Sequence, residues 1–496
     1  MTDFIVIGGG SAGCVLAAEL SRRKAGSVMV LEAGPSERHP LVSMPMALMW
    51  LMGSNRDWAW KTSPQEHAGG RMISVPRGRM LGGSGSINSM VWFRGRAADF
   101  DDWDRPGWRY ADLEPAFEAV EAKLRPTRMT GAHPLSEGLA PMLGSNGQAI
   151  PTPEYESAGV CAHNLIMGRR NSAADAFLRR RPDVEIKTGA QVDRLLWQGD
   201  RATGVRLVSG EELYAAKGVV LSAGSLASPA ILMRSGIGPA DHLRDHGIDV
   251  RRDAPQVGEN LHDHPGCGLH FCAPGSGYGL EPAQWLDWLA APFRYYGMGT
   301  GRLASPTVEA AAFFNARGDC AEPDVQSHFI PFHLDWTGNR YALKSGYFAD
   351  VVVCRPKSRG RLTLKNSHGR AAPVIDLGLF KDESDLDTLH AGLERLRDLL
   401  EQADFGPRRA AEAQPGAEIT GEALRSHIRQ SAGTAYHPVG TLALGGPVTD
   451  RLAVKDTEGL WVADASVMPN VTSANTNAPS MMIGYRGAEF IAEDAA

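Results

Sequence analysis

Gly8, Gly10 and Gly13 stand at GxGxxG spacing, and the chemistry that spacing serves is the holding of a pyrophosphate. The first glycine permits a tight turn, the second lets an anion approach the backbone, and the third lets a helix pack closely on a strand. Glu32 follows about 19 residues beyond Gly13, where a carboxylate accepts hydrogen bonds from a ribose diol and repels a 2′-phosphate. The pattern disfavours NADP and leaves FAD or NAD.

Other reactive-looking residues carry less. His262-Asp263-His264 offers metal-ligating side chains, but neighbours in a loop diverge, so no metal site is expected. Ser84 lies between glycines without the strand-to-helix elbow of a nucleophilic serine. His437 precedes Pro438, and taken alone a histidine there is a turn or packing residue.

The elements that position the glycine turn are legible around it. Residues 4–7 form an apolar run that predicts a buried strand, 14–22 predict a helix that Gly26 can end, and 27–31 predict a second strand leading to Glu32. The clusters Gly236-Ile237-Gly238 and Gly297-Met298-Gly299-Thr300-Gly301 lack the third glycine at the required offset. A second nucleotide domain is therefore not expected, and the substrate itself supplies the electrons. Further along, residues 308–314, 325–330 and 349–354 read as strands and 384–402 as a charged helix.

Composition bounds the function. The net charge of -6 gives no basis for binding nucleic acid, which needs a clustered basic excess. Six scattered cysteines without a CxxC pair suit a reducing compartment. No apolar run approaches the roughly 18 residues of a membrane span, and no leader-like segment precedes the first strand, so a cytoplasmic location is expected.

Longer segments carry a resemblance. Residues 77–88, Arg-Gly-Arg-Met-Leu-Gly-Gly-Ser-Gly-Ser-Ile-Asn, resemble the first signature of the glucose/methanol/choline (GMC) oxidoreductase family, in its bacterial choline dehydrogenase and alcohol dehydrogenase-like branch. Gly224-Ser225-Leu226-Ala227-Ser228-Pro229 resembles the second signature. Gly258-Glu259-Asn260-Leu261-His262-Asp263-His264-Pro265, Tyr436-His437-Pro438, Val462-Ala463-Asp464-Ala465 and Asn475-Thr476-Asn477-Ala478-Pro479 continue it in order. The resemblance implies an α/β protein: an FAD-binding Rossmann-like domain assembled from separated segments, plus an α+β substrate domain with an antiparallel sheet. It places an N-terminal FAD-binding region at 1–267, a mainly substrate domain at 268–430, and a return to the FAD domain carrying catalytic residues at 431–496.

By matching positions, the resemblance sets Gly8, Gly10, Ser11, Gly13, Glu32, Gly83, Asn88, Val192, Asp464 and Ala465 against FAD. Ile87 occupies the place where some relatives tether flavin through histidine, so noncovalent FAD is expected. His437 becomes the base for a hydride-donating alcohol, and Asn475 a hydrogen-bonding partner of the substrate oxygen. The expected reaction is oxidation of a small-molecule alcohol, with oxygen or another electron acceptor regenerating FAD. A lyase of the same fold and a flavin-binding protein without turnover are the alternatives.

A primary alcohol on an aromatic or otherwise apolar molecule is the expected substrate, because Trp285, Trp288, Phe293, Tyr295, Tyr296, Phe313, Phe314, Phe329, Phe332 and Trp336 could line a pocket. Choline is the rival, with Glu309 as a carboxylate able to strengthen a cation-binding cage.

Overall fold

The computed structural model describes residues 2–144, 150–320, 322–337 and 340–495, with the side chains of 334–342 excepted. The first strand, Thr2–Ile7, buries Phe4 to Ile7 and pairs in parallel with Val28–Glu32 on one side and Glu212–Leu221 on the other. Val184–Thr188 and Leu460–Val462 extend the parallel core outward. Arg201–Leu207 and Val192–Gln198 complete a seven-stranded sheet with antiparallel pairing.

The helix Ser11–Arg22 begins three residues earlier than the sequence pattern predicts, directly on the glycine turn. Its residues Ala12 to Leu20 are all buried. Gly13 makes this possible, because a Cβ there would lie 2.0 Å from the Gly8 carbonyl oxygen. The helix Asn477–Asp494 packs beside it.

The second sheet also has seven strands, all antiparallel to their neighbours. At its centre Pro265–Cys272, Gly346–Val353, Val325–Ile330 and Ala310–Phe314 lie side by side, and Ser157–Val160 forms an edge. The helix Glu383–Glu401 covers the sheet with a stripe of leucines from Leu386 to Leu400. Asp382 caps its start by accepting from Ser384 N–H at 3.0 Å, which satisfies one of the donors a helix start leaves free.

The parallel strands end together. Ile7, Glu32, Leu221 and Val462 are the last residues of their strands, and the crevice outside such carboxyl ends is where open α/β sheets bind ligands. Among the described residues no helix is long and apolar enough to cross a membrane.

Candidate active site

A cavity of about 1090 Å³ runs from these strand ends to the second sheet. Single-ligand pockets are commonly ~300–1,000 Å³, so this one has room for a dinucleotide with a small substrate beside it. Gly8, Gly10, Ser11, Glu32, Gly83, Asn88, Val192, Asp464, Ala465, His437 and Asn475 all line it. Gly13 does not, and its part is the helix-to-strand contact described above.

At the dinucleotide end, Glu32 accepts from Gly9 N–H at 3.1 Å through one oxygen and from Gly34 N–H at 2.7 Å through the other. Burial raises its pKa, against these N–H groups and Arg79. Ser11 Oγ donates to Asn477 Oδ1 at 2.7 Å, so the first turns of two helices meet there. Asn477 Nδ2 is buried, without a hydrogen-bond partner, on a residue that lines the cavity. Helix starts and a spare amide donor suit an anion.

The loop 83–88 is clamped from behind. Buried Arg170 donates to Asn88 Oδ1 at 2.8 Å, to Gly85 O at 3.1 Å and to Val42 O at 3.0 Å. Burial lowers its pKa to about 9. Asn88 is therefore occupied through its carbonyl, which also receives Met90 N–H at 3.0 Å.

Asp464, on the cavity wall, is held by the loops around it. Its carboxylate takes Gly224 N–H at 2.8 Å, Ser228 Oγ at 2.6 Å, Ser466 N–H at 2.8 Å and Ser466 Oγ at 2.5 Å. Four donors commit it to shaping two cavity loops.

At the other end, His437 Nε2 lies 3.3 Å from Asn475 Nδ2. Gln326 Nε2 donates to Asn475 Oδ1 at 3.0 Å, which orients the amide so that its NH₂ faces the histidine. His437 Nε2 then accepts and carries a lone pair. The loop bearing His437 is fixed by Asp263, which takes the His437 backbone N–H at 2.8 Å. Burial pushes Asp263 up to about 6, while that N–H and Arg77 pull it down. His437 itself is held well below the usual histidine range by removal from water, then by His264, His328 and Arg77.

His262 and His264 serve the loops. His262 bridges Asn260 O at 2.6 Å and Val471 N–H at 3.0 Å, and His264 Nδ1 lies 2.8 Å from Val353 O. Among the described residues no cluster of histidine, cysteine and carboxylate side chains could hold a metal ion.

Residues 2–266 and 356–484 match the two parts of the family described as GMC oxidoreductase. An oxygen-dependent choline dehydrogenase of Brucella suis is 36% identical over 532 residues, covering 99% of this chain and 95% of that one. This chain belongs to the GMC oxidoreductase family. GMC oxidoreductases are FAD-dependent and act on CH–OH groups. Pyridoxine 4-oxidase from Mesorbium loti shares the fold with a TM-score of 0.85 at 27% identity, covering 99% of both chains. An Aspergillus oryzae formate oxidase studied for FAD modification shares it at 0.86 and 24% identity, covering 99% of this chain and 98% of that one.

In this GMC oxidoreductase the dinucleotide end fits FAD. A Cβ on Gly10 would meet only Gly83 Cα, at 4.0 Å, so the backbone there is open to a ligand. Each Glu32 oxygen accepts one N–H and keeps a lone pair for a diol.

Rings line the cavity, but mostly others than those named from sequence, Trp58, Trp60, Phe348 and Tyr436 among them. Of the rings predicted to line it, Phe332 alone does so among the described residues. The side chain of Trp336 lies outside the described residues. Phe313, Phe314 and Phe329 are fully buried in the core, while Trp285, Phe293 and Tyr296 project from the helix Trp285–Met298 into solvent. Phe348, unremarked in the sequence, lines the cavity instead. Glu309 faces away as well. Its buried carboxylate takes His133 N–H at 2.7 Å, Ser136 Oγ at 2.8 Å, Ser305 Oγ at 2.7 Å and Tyr278 OH at 3.1 Å.

Sequence reasoning also missed His328, Asp350 and Asn477, all of which line the cavity. For Asn477 a signal existed, the start of an apolar helical run two residues after Asn475. For His328 and Asp350 there was only strand alternation, which does not distinguish cavity from core.

Proposed function

We propose that this chain oxidises a primary alcohol to the aldehyde with noncovalently held FAD, using His437 as the base. The observation that carries this reading is His437 Nε2 facing Asn475 Nδ2 at 3.3 Å on the cavity wall. FAD, when bound, supplies the acceptor for the hydride leaving carbon. The hydroxyl proton passes to His437 Nε2, and Asn475 donates to the oxygen it leaves. The pyrophosphate and ribose are assigned to Gly10, Ser11, Asn477 and Glu32. Ile87, an aliphatic residue in the cavity lining, offers no nucleophile for a tether.

A neutral, mainly apolar substrate fits the walls. Val91, Ile330, Phe332, Phe348 and Val352 line the cavity. Its acidic lining residues are Glu32 and Asp464 at the dinucleotide end, and Asp350, which is engaged by His328. The identity with a choline dehydrogenase favours choline as the second reading.

Anaerobic mixing of the FAD-loaded protein with benzylic alcohols, medium-chain alkanols, polyols and choline tests both. Fastest flavin bleaching by a benzylic or alkyl primary alcohol is the expected result. Choline giving the highest specificity constant overturns the substrate assignment, and no bleaching by any alcohol overturns the reaction.

A further inference from the structure

We infer that Asp350 is a positioning residue for this reaction: it grips His328 so that His328 presents a cationic N–H to the alcohol oxygen held in front of His437 and Asn475. The inference rests on the alcohol-oxidation reading and adds a second histidine with a different task.

The geometry begins with strand register. Val325–Ile330 runs antiparallel to Gly346–Val353, with Gln326 opposite Val352 and Phe329 opposite Ala349, which sets Asp350 across from His328. Asp350 Oδ1 takes the His328 backbone N–H at 2.7 Å, replacing a ladder bond with a carboxylate. The same carboxylate lies 3.2 Å from His328 Nδ1 through each of its oxygens. Both oxygens are thus engaged by one imidazole, which fixes its ring and puts a proton on Nδ1.

The opposite nitrogen then has one direction. His328 Nε2 lies 3.4 Å from Asn475 Nδ2 and 3.5 Å from Asn475 Oδ1, the amide that also reaches His437. His328, Asn475 and His437 all line the cavity at this point. The titratable groups around His328 are Asp350 on the neighbouring strand and His264 and His437 on the facing loops. Burial lowers the pKa of His328, but the charge and hydrogen bonds of Asp350, with Asn475, outweigh it and the net shift is upward. His437 shifts the other way.

Two histidines held in opposite protonation states divide the work. Neutral His437 takes the hydroxyl proton as the O–H bond breaks, and the hydride leaving carbon would go to the acceptor that bound FAD supplies. His328 keeps its own proton throughout and donates a hydrogen bond to the oxygen as negative charge grows there. Charge-assisted hydrogen bonds are roughly twice as strong as neutral ones, so His328 adds what the Asn475 amide alone lacks.

The test is anaerobic flavin reduction by the best alcohol, across a pH series, in FAD-loaded wild type, Asp350→Asn, Asp350→Glu and His328→Gln. Asp350→Asn is expected to slow reduction about 10- to 100-fold at neutral pH, mainly in kcat, with FAD content unchanged. Its rate should climb only on the acid side of about 6.5, the ordinary histidine value, because burial without the Asp350 charge holds His328 lower and its proton returns there while His437 stays neutral. Asp350→Glu should restore much of the neutral-pH rate, and His328→Gln should be slow with no acid recovery. A wild-type rate in Asp350→Asn, or a loss equal at every pH, overturns the inference. If Asp350→Asn does not fold, a wild-type rate in His328→Gln overturns it instead. Failure of the underlying reading looks different, since wild type is then not bleached by any alcohol.

Discussion

Gly83 approaches Gly10 so closely that a Cβ on Gly83 would lie 2.7 Å from the Gly10 Cα. Gly83 also adopts φ +54°, a conformation side chains disfavour. Two glycine turns from distant parts of the chain therefore meet backbone to backbone beside the cavity. Gly83→Ala should destabilise the site by about 1–3 kcal/mol of strain and lower FAD retention. Flavin absorbance per protein after gel filtration measures it, and full flavin content with an unchanged melting temperature contradicts the assignment.

His437→Ala should keep FAD and lose alcohol-driven flavin reduction by about 10²- to 10⁴-fold, the usual worth of a general base. In wild type the depressed pKa of His437 gives a signed pH expectation. The proton-accepting form exists above the pKa, so lowering that value extends it to the acid side. Reduction should not fall between about pH 8 and about pH 6, although an unperturbed histidine titrates near 6.5. A decline with a midpoint near that value, in stopped-flow traces, contradicts the depressed pKa, and an unchanged rate in His437→Ala removes His437 as the base.

Asn475→Ala should slow reduction by about 10- to 100-fold, the worth of a hydrogen bond of about 1.5–3 kcal/mol to a charged group. Asn475 does not titrate, but its hydrogen bond helps raise His328, so the profile should keep its number of ionisations while one of them moves. A variant whose profile gains or loses an ionisation assigns Asn475 a part in proton transfer.

Glu309→Gln should lower the melting temperature without altering the order of preferred alcohols. The carboxylate has four donors, and an amide cannot accept from all of them, which leaves a buried donor unsatisfied at a cost of about 1–3 kcal/mol. A changed ratio between choline and a neutral alcohol in kcat/KM places Glu309 in substrate recognition.

The nucleotide end was legible because its constraints are local. A turn that must admit an anion needs Gly10 without a side chain, and Glu32 must end the next strand, so both leave marks at fixed spacing. The helix boundary at Ser11 was missed because the glycine turn passes directly into the helix. The substrate end was far less legible. Ala310–Phe314 is buried on both faces, so alternation in the neighbouring Val325–Ile330 does not reveal that His328 opens on a cavity. The rings misled for a similar reason. A ring fills a core, as Phe329 does, more readily than it lines a pocket, and some stand on a helix surface, as Phe293 does. Glu309 was misplaced because its donors His133, Ser136 and Tyr278 come from elsewhere in the chain.

The bond between Ser11 and Asn477 joins residues 466 positions apart. During synthesis a ribosome releases the glycine turn early and the helix that completes the cleft hundreds of residues later. The strand Thr2–Ile7 and the helix Ser11–Arg22 therefore keep an anion-facing end unfinished until Asn477 has emerged. Loading of the cofactor should accordingly follow synthesis of the helix Asn477–Asp494, and nascent chains cut before Asn477 should emerge colourless from a translation system supplied with FAD.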